Sequence, residues 1–135
     1  WDRKIKLPGY KMYMNSVQAD IGLQNFKLYT KKLEVLKEIR ETYNAAFNLE
    51  NTSNHLYKLN VNNRKDFMTF FKNNRIYTGI HYEATHTNPV YKLDNIYCPK
   101  TDIASKQTVS IPFHEDLLNL SVEFIIEKYN EYNKA

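Results

Sequence analysis

Glycine is scarce in this chain, three in 135 residues, as are proline with four and cysteine and tryptophan with one each. Three scattered glycines cannot build a Gly-rich loop of the kind that cradles phosphates, so that class of nucleotide site is excluded. The lone Cys98 excludes an internal disulfide and any Cys-x-x-Cys pair, and fits a reducing compartment, so a cytoplasmic protein is expected. No apolar run approaches the roughly 20 residues needed to span a bilayer, which points to a soluble chain with no membrane partner. Excess charge is small: 19 Lys and Arg against 15 Asp and Glu leave a net +4, and the basic residues are scattered. That balance gives no ground for a nucleic-acid partner. No Ser-His-Asp set is visible, and Glu115 and Asp116, being adjacent, point to different faces and do not suggest a paired acid and base.

Aromatic residues are abundant, with 11 Tyr and 7 Phe. A chain of this length supports one domain and not two well-cored ones, so many of these rings are expected to face a partner surface or a neighbouring domain. The first residue is Trp, with no charged leader before an apolar segment, and the sequence is expected to be a fragment or a processed chain.

The longest periodic pattern runs from Leu7 to Phe47. Phe26, Tyr29, Leu33, Leu36, Ile39, Tyr43 and Phe47 recur every three or four residues and predict one face of a long helix. Asn15 with Gln18 three residues later has the form of a capping box, which fixes the helix start. Residues 1–14 then read as a linker and a helix lead-in, with a turn at Pro8-Gly9. Gly22 costs roughly 1 kcal/mol in a helix interior, so a kink or a close backbone approach is expected there.

After the turn-rich stretch Asn48 to Asn54, His55 to Val61 alternates as a half-buried strand. Arg64 to Asn73 carries Phe67, Phe70 and Phe71 at helical spacing, and Ile76 to Tyr82 reads as extended around Gly79. Glu83 to Pro89 and Asn95 to Asp102 show no sustained period and are expected to be irregular. Thr108 to Ile111 predicts a strand ended by Pro112, and Val122, Ile125, Ile126, Tyr129 and Tyr132 predict a last helix from about Asn119. The fold class is α/β: a long N-terminal helix, a short, mainly antiparallel sheet, one helix between strands and one at the C-terminus.

His81-Tyr82-Glu83-Ala84-Thr85-His86 concentrates two imidazoles, a phenol and a carboxylate at a strand end. A metal site would need a third ligand from His55, His114 or Cys98, and the spacing is not that of His-Glu-x-x-His, so no metal is expected. Two readings stay open: a substrate-contacting loop, whose histidines would hydrogen-bond anionic or hydroxyl groups, or histidines that fill and cap local gaps. Lys11, between Tyr10 and Met12, reads as a solvated cation rather than a Schiff-base lysine. The residues alone describe a soluble α/β domain without a complete catalytic set.

Four motifs in order carry a resemblance. Pro8-Gly9-Tyr10-Lys11 with Met14-Asn15 and Gln18-Ala19-x-Ile21-Gly22-Leu23-Gln24, then His55-Leu56-Tyr57, then Gly79-Ile80-His81-Tyr82 with His86, Pro89 and Tyr91, and finally Ser110-Ile111-Pro112-Phe113-His114 with Leu117, resemble the C-terminal domain of the DegT/DnrJ/StrS sugar aminotransferases. The resemblance spans about Leu7 to Tyr132. It departs from the family pattern at Met12-Tyr13-Met14, Asp20 and Glu83.

The resemblance implies the small domain of a fold-type-I, pyridoxal-phosphate-dependent enzyme that moves an amino group onto a nucleotide-linked keto sugar and works as a homodimer. The cofactor lysine would lie in an N-terminal domain outside this chain, so residues 1–135 alone are expected to be inactive and to bind no cofactor. By the same likeness Lys11 and Asn15 would sit at the cofactor-phosphate side, and His81, Tyr82 and His86 at the sugar-nucleotide mouth. No residue of this chain is assigned a catalytic role. The alternatives are a catalytically silent binding module or remnant of that fold, and third, a tyrosine-rich nucleic-acid binder.

Overall fold

The computed structural model describes residues 9–10, 12–91, 96–117 and 119–134. Asn15 opens α1 (Ser16–Lys27) with the expected reciprocal cap: its side chain accepts from the Gln18 amide at 2.9 Å, and its own amide donates to Gln18 Oε1 at 3.0 Å. The predicted single long helix is in fact two. The break falls at Leu28, which caps α1 and leads directly into α2 (Tyr29–Phe47). Gly22 lies inside α1, which runs unbroken through it, and nothing approaches within 4 Å of where a Cβ would stand, so the close approach expected there is not made by the described residues. The predicted apolar stripe also divides at this point. Leu36, Ile39, Tyr43 and Phe47 are buried, whereas α1 buries nothing and Phe26 and Tyr29 stay 73% and 51% exposed.

Asn48 ends α2 in the left-handed region, φ 51°. Asn44 then ties the turn down: its Nδ2 donates to the Asn51 carbonyl, while its Oδ1 accepts from the Asn51 amide and from the Tyr57 hydroxyl, the last at 2.9 Å. Strand β1 (Tyr57–Asn60) pairs antiparallel with β2 (Thr108–Ile111), Tyr57 opposite Ile111 and Lys58 opposite Ser110. Beyond β2 the chain at Gly79 adds a bridge to Ser110, with reciprocal backbone bonds of 2.8 Å. Alternation splits this sheet into two faces. Tyr57, Leu59, Val109 and Ile111 are buried against the helices, while Lys58, Asn60, Thr108 and Ser110 belong to the polar face.

Helix α3 (Arg64–Asn73) starts where Asn63 Oδ1 accepts from the Asp66 amide, and it buries Phe67 and Phe71, stacked at 4.1 Å between centroids. A helix not foreseen from the sequence, α4 (Pro99–Gln107), takes up the second half of the Asn95–Asp102 stretch expected to be irregular and continues to β2. It buries no residue, so apolar periodicity could not mark it. Tertiary bonds hold it: Arg64 donates to the Ser105 carbonyl, and the Val61 amide donates to the Gln107 carbonyl at 3.0 Å. Helix α5 (Asn119–Tyr132) closes the core through Val122 and Ile125, and Tyr129 packs on Phe47 at 4.5 Å. Tyr43 sits at the centre, edge-on to Tyr57 at 4.9 Å, with its hydroxyl donating to the Pro112 carbonyl. Among the described residues no helix is long and apolar enough to cross a membrane. The linker reading of residues 1–8 lies outside the described residues.

Candidate functional site

The polar face of the sheet carries the candidate site. Gly79 and His81 are two residues apart on an extended segment, so both address the face that holds Ser110 and Lys58. The His81 ring lies directly over Gly79: a Cβ there would stand 2.5 Å from His81 Cε1. Glycine is required by that close approach, not by a special backbone angle. From this position His81 Nδ1 reaches Ser110 Oγ at 2.9 Å. Ser110, 3% exposed, is the one polar residue in the buried set among the described residues. Burial, then the nearby cationic groups Lys58 and His55, hold the His81 imidazole below its ordinary pKa, which favours the neutral ring. Tyr82 stands edge-on to His81 at 5.1 Å and is 69% exposed.

His86 sits in a single 3₁₀ turn, Thr85–Thr87, pinned by the Thr87 amide and hydroxyl on the Ala84 carbonyl. Its Nε2 donates to Asp102 Oδ1 of α4 at 2.9 Å, and its side chain is only 13% exposed. Of the three candidate mouth residues, His81 and Tyr82 are therefore in contact, whereas His86 is turned to a different partner. No hydrogen bond joins the two histidines among the described residues. Asn15 is on the surface at the far end of α1, with Oδ1 already committed to its cap. Its Nδ2 and the free amides of the first helical turn remain available to an anion. Lys11 lies outside the described residues.

Of the two residues implied for the cofactor-phosphate side, Asn15 alone is among the described residues. Asn15 offers one amide group on an open surface, and nothing among the described residues encloses a phosphate or an aromatic ring beside it. No group of three His, Cys, Asp or Glu side chains gathers among those residues either. Separately, an open hollow of about 490 Å³ runs between α3 and residues 77–80, lined by Arg64, Lys65, Met68, Lys72 and Tyr77 among others.

Sequence reasoning singled out His81, Tyr82 and His86 and did not single out the residues that hold them. Gly79 carried a signal, an isolated glycine inside an extended run. Ser110 carried a weaker one, a hydroxyl between two buried aliphatic positions of a strand. Asp102 carried none, because its helix was not foreseen.

Comparison with known proteins adds the family. Residues 1–130 match the DegT/DnrJ/EryC1/StrS aminotransferase family. The chain belongs to that family. Among curated proteins it is 26% identical to the spore coat polysaccharide biosynthesis protein SpsC of Bacillus subtilis, covering all of this chain and 41% of that protein. In fold it is similar to the sugar aminotransferase CalS13 of Micromonospora echinospora, with TM-score 0.77 at 20% identity, over 91% of this chain and 37% of that one. It is also similar to Spr1654 of Streptococcus pneumoniae in its PLP-form, with TM-score 0.80 at 22% identity, over 99% of this chain and 39% of that one. The chain thus spans about two fifths of the relatives it matches. This α/β arrangement is that of sugar aminotransferases, as the sequence motifs implied.

Proposed function

We propose that residues 1–135 form the C-terminal small domain of a cytoplasmic, homodimeric, pyridoxal-phosphate-dependent aminotransferase acting on a nucleotide-linked keto sugar. The observation that carries this reading is the built polar site on the sheet, His81 seated over Gly79 and bonded to buried Ser110, in a chain of this family. Effort spent on orienting an imidazole at a partly exposed surface is what substrate recognition needs and what a gap-filling histidine does not.

In this reading His81 and Tyr82 donate and accept hydrogen bonds at the sugar-nucleotide mouth, and His86 shapes the loop through Asp102. The domain closes over the reacting groups and excludes water. Pyridoxal phosphate, bound through a lysine in the rest of the polypeptide, supplies the electron sink for amino transfer. Lys11 and Asn15 add an edge contact on the phosphate side, across the dimer. The exposed apolar face of α1, with Val17, Ile21 and Phe26, suits cover by the rest of the polypeptide.

The test uses the full-length polypeptide. Retention of the cofactor's visible absorption band and transfer of an amino group from glutamate to a nucleotide-linked keto sugar are expected. His81→Asn should raise KM for the sugar nucleotide with little change for glutamate. Absence of both the band and the transfer would refute the enzyme reading and leave a silent binding module.

A further inference from the structure

We infer that Ser110 is a positioning residue that fixes His81 in the Nε2–H tautomer, so that this histidine meets its ligand as a neutral hydrogen-bond donor. The ligand group it selects is therefore an acceptor oxygen, a sugar hydroxyl, carbonyl or phosphate oxygen, and not a donor. The use made of the tautomer rests on the proposed substrate role of His81; the tautomer itself does not.

The argument starts from the hydroxyl. Ser110 Oγ is buried and, among the described residues, has one hydrogen-bond partner, His81 Nδ1 at 2.9 Å. A serine hydroxyl carries one proton and can also accept. Were Nδ1 the donor, the hydroxyl proton would be left buried with no acceptor, which is the costly arrangement. Donation from Ser110 to Nδ1 satisfies both groups, and it puts the imidazole proton on Nε2. Protonating the ring would reverse this bond and strand the hydroxyl proton again, so the same geometry opposes the cation.

Two further features keep the ring from escaping. Gly79 lies beneath it, and a side chain at that position would displace it. The Ser110 backbone is fixed as well: its amide and carbonyl are both bonded to Gly79 at 2.8 Å, and the residue lies in register with Lys58 of β1. The serine is therefore placed by the sheet, and the histidine by the serine.

The experiment is ¹⁵N NMR of the histidine side chains in full-length protein labelled at histidine, with His81→Asn identifying the His81 signal. The expected native spectrum shows His81 as the Nε2–H tautomer, and Ser110→Ala should convert it to a mixture of the two. A native Nδ1–H tautomer, or a tautomer that Ser110→Ala leaves unchanged, would overturn the inference. Steady-state kinetics on the same variant separates the two levels. With a positioned donor lost, KM for the sugar nucleotide should rise roughly three- to tenfold. A tautomer that shifts as expected with KM unchanged supports the role of Ser110 and overturns the substrate role of His81.

Discussion

Replacing Gly79 by alanine puts a methyl group where the His81 imidazole lies. The new Cβ would stand 2.5 Å from Cε1, 3.2 Å from Nδ1 and 3.4 Å from Nε2. Carbon atoms rest at about 3.5–4.0 Å, so the ring must move by about 1 Å or more. The bond to Ser110 at 2.9 Å does not survive such a shift. Losing it removes about 1 kcal/mol of net stabilisation, and the stranded serine hydroxyl costs about 1–3 kcal/mol more. Against this, alanine is favoured over glycine by about 0.5–1 kcal/mol in the unfolded-state entropy. The balance is a local destabilisation of about 1–3 kcal/mol, or roughly five- to 150-fold in hydrogen-exchange protection of the bridged amides of Gly79 and Ser110. The decisive comparison is the His81→Ala background, where nothing remains to clash. There Gly79→Ala should be neutral or slightly protective. An equal loss of protection in both backgrounds would show that the glycine serves the backbone and not the imidazole.

Three other perturbations have defined outcomes. Burial raises the Tyr57 phenol to about 12 and Tyr43 further above its ordinary value, the second partly through Tyr57. Their folded pKa lies above the unfolded one, so their contribution is complete below about pH 10 and is lost as pH climbs through about 12; phenolate absorbance should rise together with unfolding in that window, and early, uncoupled ionisation would contradict the packing. Arg75 holds φ 62° at the end of α3, a conformation that costs a side-chain-bearing residue about 1–2 kcal/mol. Arg75→Gly, after the entropy it returns to the unfolded chain, should raise the urea midpoint by the equivalent of about 0.5–1 kcal/mol, and a lower midpoint would refute this. Phe26, 73% exposed, stacks only on Tyr29 at 6.0 Å among the described aromatic pairs. In the full-length polypeptide Phe26→Ala should lower the thermal midpoint well beyond an exposed control such as Glu41→Ala, and equal effects would deny that this face is covered.

The elements legible in the sequence are those whose signals are local. Helix α3 announces itself through the spacing of Phe67, Phe70 and Phe71, α5 through its apolar periodicity, and β2 through its stop at Pro112. The break at Leu28 was not legible, because neither glycine nor proline marks it and the residue that does weaken the helix, Gly22, faces open space. Helix α4 was missed because Arg64, Val61 and His86 hold it from outside, and none of these contacts is visible in its own nine residues. Periodicity likewise marks Phe26 and Leu36 as one apolar stripe without saying which half this chain covers. At the site, the imidazoles were visible as residue types at a strand end, but their partners Ser110 and Asp102 lie 29 and 16 residues away. Only the fold brings them there.

The break at Leu28 also marks a seam for recombination. Among the described residues the buried core draws on α2, β1, α3, β2 and α5, whereas α1 contributes nothing to it. A chimera joining this segment to a homologue's upstream part should therefore be cut at Leu28, leaving α1 with the donor whose surface it must match. Inheritance in the proposed longer enzyme would follow the same seam: substitutions along α1 should track those of the N-terminal domain, and those from α2 onward should track one another.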